Sequence, residues 1–281
     1  MFSKEQIARY YDLSEVHYRL FWNLAQSKAL HYGLWDKDTK TFHEALMNTN
    51  RVLSQYANIS KGDRVLDAGC GVGGSSLWMA KNIGCHVTGI SLSANQIAQA
   101  NESAAAEDLQ DIANFEVQDF TATSYPNEYF DVIWGIESIC HAPDKKLFLQ
   151  EAHRLLKKGG RLIMADFIQK EGLQGKDAEM MRDWAHGWAI KEYSTEEDFT
   201  RYLKETGFEI KRNEVATPAI ARSARRLYNA YLLGWIPAKL YLLFNPKASK
   251  EGQRNFDTAY LQYKSLKKGL WKYLIILAEK K

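Results

Sequence analysis

The sequence predicts an α/β protein, with a Rossmann-like, mostly parallel sheet of seven strands, helices on both faces, a helical N-terminal lid and helical cap insertions. Three observations carry that expectation. From residue 61 onward, short apolar β-type runs alternate with helical segments of about 10–15 residues, the pattern of parallel βαβ units. A glycine-rich turn joins the first of these strands to the first of these helices. The chain has 281 residues, 46% apolar and 25% charged, which is globular composition and enough length for one large domain with insertions.

In chain order, residues 1–60 read as an aromatic-rich helical lid containing Tyr10, Tyr11, Tyr18, Phe21, Trp22, Tyr32 and Trp35. The core follows over 61–170. Arg64–Ala68 is its first strand and Ser75–Lys81 the helix after the glycine turn; His86–Ile90 is the second strand, with the helix of Asn95–Ala106. Asn114–Gln118 and Phe130–Gly135 are the third and fourth strands, then come the helix of Lys145–Leu156, a Lys158-Gly159-Gly160 turn and the strand Arg161–Phe167. Residues 171–193 form a Trp-containing cap insertion. The core resumes over 194–217 with the helix Glu196–Thr206 and the strand Phe208–Val215. A basic, mostly helical cap over 218–268 precedes the final strand in 269–281, at Tyr273–Ala278. Both caps follow late strands and are expected to roof the carboxyl edge of the sheet.

Composition excludes several classes. No run of about 18 apolar residues suits a membrane-spanning helix. The segment Met1–Glu5 carries an early acid and no apolar stretch, so no secretory leader is expected. Three cysteines, Cys70, Cys85 and Cys140, lack metal-ligand spacing, which predicts reduced thiols, a cytoplasmic location and no metal. The net charge of +3 is uneven: from Pro218 to Lys281 there are 13 Lys/Arg and 3 Asp/Glu, a balance of +10, leaving 3 − 10 = −7 for the first 217 residues. That basic end suits an anionic lipid surface in peripheral contact, an anionic substrate, or simply a solvated face.

The segment Val65–Gly74 (VLDAGCGVGG) is the most informative. Gly69, Gly71 and Gly74 satisfy the dinucleotide spacing G-x-G-x-x-G, a weak signal by itself. Two residues turn it away from a dinucleotide. Asp67, at the strand end, would repel a pyrophosphate but suits an ammonium group. Strand two ends in Ser91, where that fingerprint expects an acid to hold the ribose.

With these residues, the chain resembles the class I S-adenosylmethionine-dependent methyltransferases, in the branch of tocopherol and small-molecule methyltransferases and cyclopropane fatty acid synthases. VLDAGCGVGG resembles that family's first motif, and Val87–Gln96 (VTGISLSANQ) its strand-two turn. The resemblance implies S-adenosylmethionine as cofactor, held by Asp67, Gly69, Gly71 and Gly73, with Ser91, Leu92 and Gln96 at the ribose. It further implies that Asp119 accepts from the adenine amino group, that Phe120 packs on the ring, that Ile136 and Glu137 line the pocket and that Tyr11 covers it. Ser93-x-x-Gln96 also reads as a helix capping box.

Methyl transfer requires alignment of a nucleophile with the methyl carbon and exclusion of water. His141, after strand four, is the candidate general base or orienting group, since imidazole titrates near neutrality. The resemblance implies that Asp166, ending strand five, cooperates with it through a hydrogen bond, and that Tyr32 touches the methionine part of the cofactor or pairs with the histidine. A histidine settled at a turn, a loop-capping aspartate and an aromatic in plain packing remain the alternatives. Trp35, Trp184, Trp188, Arg222 and Tyr231 are the candidate acceptor-binding residues, the aromatics suiting an apolar or ring-bearing molecule and the arginine an anionic group. Cyclopropane fatty acid synthases carry a glutamate where Cys140 stands, which favours plain methyl transfer. No nucleic-acid partner is expected, because no Asn-Pro-Pro-Tyr-type motif follows strand four. The expected activity is methylation of a small, lipophilic or ring-bearing acceptor, at carbon, nitrogen or oxygen. A relative that binds the same cofactor for a non-methylating reaction such as cyclisation, or a cyclopropane synthase-like lipid enzyme, is the alternative.

Overall fold

Apolar residues fill both faces of a central strand in this chain, so the middle of the sheet is covered on both sides. The computed structural model describes residue 6, residues 27–244 and residues 250–281, with backbone alone for 236–244 and 250–255. Seven strands form one sheet in the order β3-β2-β1-β4-β5-β7-β6. β1 (Arg64–Ala68) is buried from Val65 onward and pairs in parallel with β2 (His86–Ser91) and β4 (Phe130–Ile136). β3 (Ala113–Val117) extends the sheet beyond β2, and β5 (Leu156–Gln169) beyond β4, again in parallel. β7 (Trp271–Lys280) enters antiparallel between β5 and β6 (Phe208–Val215). The strand order reverses between β1 and β4. In such sheets, ligands bind in the crevice at the carboxyl ends beside that reversal.

Alternation along the strands builds two apolar layers. Ile163, Ala165 and Phe167 of β5 join one layer with α1 (Phe42–Tyr56), α2 (Gly74–Ile83) and α3 (Ala94–Ala106). Leu162, Met164 and Ile168 join the other with α4 (Lys145–Leu155) and α6 (Glu196–Glu205). The cap segments supply α5 (Gly175–Gly187), α7 (Thr217–Phe244) and α8 (Lys250–Lys267), and α8 packs on both α5 and α7. Among the described residues, no helix is long and apolar enough to cross a membrane.

Two local expectations change. The Lys158-Gly159-Gly160 turn lies inside β5: the register passes from Phe130↔Leu156 to Val132↔Arg161, and the extra residues bulge out at Gly159. The capping box at Ser93 is half made. Ser93 Oγ accepts from Gln96 N, but Gln96 Oε1 accepts from Ser91 Oγ (2.9 Å) instead of closing the box. By contrast, Thr41 and Glu44 form a complete box at the start of α1.

Candidate functional site

A cavity of about 510 Å³ opens at the carboxyl ends of β1, β2 and β4, bordered by the turn after β1 and by the segment Lys28–His31. The turn is shaped by contact as well as by conformation. Gly69 has φ +97°, and a Cβ there would lie 2.4 Å from Ser138 Cβ; Ser138 in turn donates from Oγ to Ala68 O at 2.6 Å. Gly71 lines the cavity beside it. Gly73 does not. It stands at φ +86° as the residue before α2, where a Cβ would meet the Phe115 ring at 2.9 Å, so its role is packing and helix entry instead of the expected ligand contact. At Gly74 a Cβ would fall 2.1 Å from Lys28 O, so the N-terminal segment crosses directly over the turn.

Asp67 reaches the cavity wall from the buried end of β1. Its Oδ2 accepts from Ser76 Oγ at 2.6 Å, and burial pushes its pKa up to about 7. Ser91, Leu92 and Gln96 line the next stretch. Ser91 Oγ accepts from Ser93 N and donates to Gln96 Oε1, which leaves the Gln96 side-chain N–H groups as the donors for a hydroxyl-bearing ligand. Asp119 and Phe120 close the far end. Thr121 holds Asp119 Oδ1 with its backbone N–H and its hydroxyl, each at 2.8 Å, and Phe120 stands edge-on to Phe148 at 5.4 Å. Ile136 and Glu137 form the wall at the end of β4. Trp134, which the sequence did not single out, also lines the cavity, and its buried Nε1 has no protein partner. An aromatic inside a strand gave no signal beyond core packing.

Glu137 ties three parts of the chain together. At φ +50°, its Oε1 accepts from Tyr32 N (2.7 Å) and from Tyr273 Oη (2.8 Å). Burial pushes its pKa up to about 8. It also lines the cavity. Tyr32 itself does not line this cavity. Its ring packs edge-on against Phe167, and its hydroxyl donates to Gln262 Oε1 at 2.8 Å. The expected contact with the cofactor is therefore replaced by a backbone link to Glu137.

His141 lines the same cavity from the short 3₁₀ turn Ile139–His141. Burial, helped by the Lys145 ammonium, pushes its pKa down to about 3, so the ring is neutral at ordinary pH, and a backbone bond to Ala189 orients it. The expected hydrogen bond from Asp166 gives way to another arrangement. Asp166 Oδ2 accepts from Cys140 N and Oδ1 from Phe167 N, each at 2.8 Å. Burial pushes the Asp166 pKa up to about 6. The aspartate thus holds the turn that carries the histidine, acting through backbone. Lys145 completes the clamp, its buried ammonium donating to Cys140 O and Ala142 O at 2.7 Å each. His31, in the lid segment, also lines the cavity. Its Nδ1 donates to Tyr32 O at 2.9 Å, its Nε2 is buried without a partner, and burial pushes its pKa down to about 4.

The candidate acceptor residues lie apart from this cavity. Trp184 is fully buried in a nest of rings with Phe167, Trp188, Tyr193 and Trp271, and Trp188 stands half-buried at its edge. Trp35 and Arg222 border a different groove, with the guanidinium 5.3 Å above the indole and the indole Nε1 donating to Ser223 Oγ. Tyr231 packs between α7 and α8 against Phe256 and Tyr260. Tyr11 lies outside the described residues.

A sheet of this order with β7 antiparallel, a glycine turn after β1 and an acid at the end of β1 define the class I S-adenosylmethionine-dependent methyltransferase fold. The residues fit that cofactor: buried acids for its positive charge, an amide-bearing polar end for a ribose, an acid and an aromatic for an adenine, and an orphaned indole donor. The chain belongs to the mycolic acid cyclopropane synthetase family, whose sequence model matches residues 2–230.

Among its relatives, it is 35% identical over 180 residues to the 27-O-demethylrifamycin SV methyltransferase of Amycolatopsis mediterranei, covering 64% of this chain and 66% of that one. It is 34% identical over 175 residues to the 2-methyl-6-phytyl-1,4-hydroquinone methyltransferase of Synechocystis sp., covering 60% and 54%. The chain thus spans less than two thirds of the length of either relative. The structure of the cyclopropane synthase MmaA2 from Mycobacterium tuberculosis superposes with a TM-score of 0.82 over 99% of both chains at 20% identity, a likeness of fold.

Proposed function

We propose that this protein transfers a methyl group from S-adenosylmethionine to a small, lipophilic or ring-bearing acceptor. The observation that carries the reading is the convergence of Asp67, Ser91–Gln96, Asp119–Phe120 and His141 on one cavity at the carboxyl edge. When bound, the cofactor supplies an electrophilic methyl group on a sulfonium. The protein's own part is to bind, orient and exclude water. Asp67 and the turn at Gly69 hold the amino-acid end, Gln96 the ribose, and Asp119 with Phe120 the base. His141, neutral and oriented, accepts a proton from the acceptor or aligns it, and Asp166 and Lys145 keep its turn in place. Glu137 joins the cavity to the N-terminal segment and to β7.

A lipophilic acceptor agrees with a relative named for a phytyl hydroquinone. Cys140 beside His141 weighs against a cyclopropane synthase-like reaction. The reading includes a cytoplasmic location and peripheral membrane contact through the basic C-terminal region, where a lipophilic acceptor is concentrated.

The test is to incubate the purified protein with S-adenosylmethionine and a panel of prenylated quinols, phenols, amines, sugars and sterols, and to measure S-adenosylhomocysteine release. Release with one class identifies the acceptor chemistry. Cofactor binding without release across the panel favours the non-methylating alternative, and no binding of the cofactor rejects the proposal.

A further inference from the structure

A second concavity, about 890 Å³, lies between the start of α1 and one face of α7 and shares no lining residue with the cofactor cavity. Arg222, Arg225, Arg226 and Leu233 fall at i, i+3, i+4 and i+11, so they share one helical face roughly 16 Å long. The opposite face is buried: Ile220 and Ala224 are in the core, and Ser223 Oγ bonds Gly33 O at 2.9 Å. The exposed face has no such cover. Arg222 and Arg225 are solvent-exposed, and the ion pairs of the described residues include no carboxylate for either. The nearby acid Glu44 is occupied by the backbone N–H groups of Lys40 and Thr41. Arg222 rests over Trp35, and Arg226 over Phe42 at 4.9 Å, so aromatic rings hold two guanidiniums in position. Beside them Leu232 is 50% exposed and Leu233 81% exposed.

Protruding leucines are poorly suited to water, and the exposed Arg222 and Arg225, with no carboxylate partner among the described residues, are open to an anion. They are well suited to the boundary of an anionic bilayer, where guanidiniums bind lipid phosphates and leucines enter the apolar layer. The +10 balance of residues 218–281 adds long-range attraction to such a surface. We propose that this face of α7 docks on an anionic phospholipid bilayer, with Arg222, Arg225 and Arg226 at the headgroups and Leu232 and Leu233 inserted. The inference rests on the peripheral contact proposed above and names its face and its partner.

The experiment is flotation of the full chain with vesicles of phosphatidylcholine alone and of phosphatidylcholine mixed with phosphatidylglycerol, at low and high salt. Cofactor binding, measured in parallel, reports on folding and on the cavity separately. Binding is expected to the anionic vesicles, to fall with salt, to be roughly thirty-fold weaker for Arg222→Gln/Arg225→Gln, and about ten-fold weaker for Leu233→Ser. Anionic binding that both variants retain overturns this face while the peripheral contact stands. No preference for anionic vesicles overturns both. Titration with inorganic pyrophosphate separates a soluble anion: binding that the double arginine variant loses, without vesicle binding, makes the groove a phosphate site and overturns the lipid assignment. Methyl transfer stands or falls on S-adenosylhomocysteine release, independently of these outcomes.

Discussion

His141 owes its chemistry to its surroundings. A buried imidazole with its pKa pushed down to about 3 is neutral at all ordinary pH values, ready to take a proton but weak as a base. His141→Ala is expected to lower kcat by about 10²–10⁴-fold. The wild-type rate should show no ascending limb near pH 6.5 from this group; such a limb in the pH profile of S-adenosylhomocysteine release would contradict the burial. Lys145 offers a companion test. Lys145→Met leaves the carbonyls of Cys140 and Ala142 without their donor, so stability should fall by about 2–4 kcal/mol in chemical denaturation, and kcat should fall with cofactor affinity little changed. The residue types at 67, 91, 96, 119 and 120 were legible because the resemblance fixes their spacing, and the structure brings them to one cavity. The partners of Asp166 and Tyr32 were not legible. A side chain's hydrogen bonds depend on which groups the fold leaves nearby, and here those were the Cys140 backbone N–H and the Gln262 side-chain oxygen.

At the level of elements, the turn between β1 and α2 is where sequence and contact meet. Gly69→Ala must place a methyl group 2.4 Å from Ser138 Cβ at φ +97°. It is expected to cost about 2–4 kcal/mol and to abolish cofactor binding measured by calorimetry. Gly73→Ala meets the Phe115 ring instead, outside the cavity. It should lower the melting temperature while changing cofactor affinity far less, and an equal loss of both would restore Gly73 to the binding site. Strand and helix positions were readable from alternation and glycine punctuation. The bulge in β5 was not, because a Lys-Gly-Gly turn between elements and one inside a strand look the same until β4 supplies the register.

Across the whole molecule, the cavity concentrates buried acids. Asp67, at about 7, and Glu137, at about 8, hold protons in the folded state that the unfolded chain releases near pH 4. The folded form therefore binds more protons, so their contribution makes stability fall as pH rises from about 4 through 8. The buried histidines His31 and His141 act oppositely, favouring the fold as pH rises from about 3 to 6.5, and no longer contribute above that. The protein without cofactor should thus lose melting temperature between about pH 6.5 and 8. The cofactor's positive charge should stabilise the ionised acids, so its affinity rises over the same interval; a flat or falling affinity in calorimetry at several pH values would refute the charge argument. The sequence by itself determined the α/β class, the order of strands and helices and the cofactor motifs, because apolar periodicity and glycine spacing are local. Only the tertiary structure decided that Trp184 lies within a ring nest, that Trp35 and Arg222 border a separate groove, and that Glu137 joins the N-terminal segment to β7. The contacts of Glu137 join residues 105 and 136 positions apart, and close packing in three dimensions selects such partners.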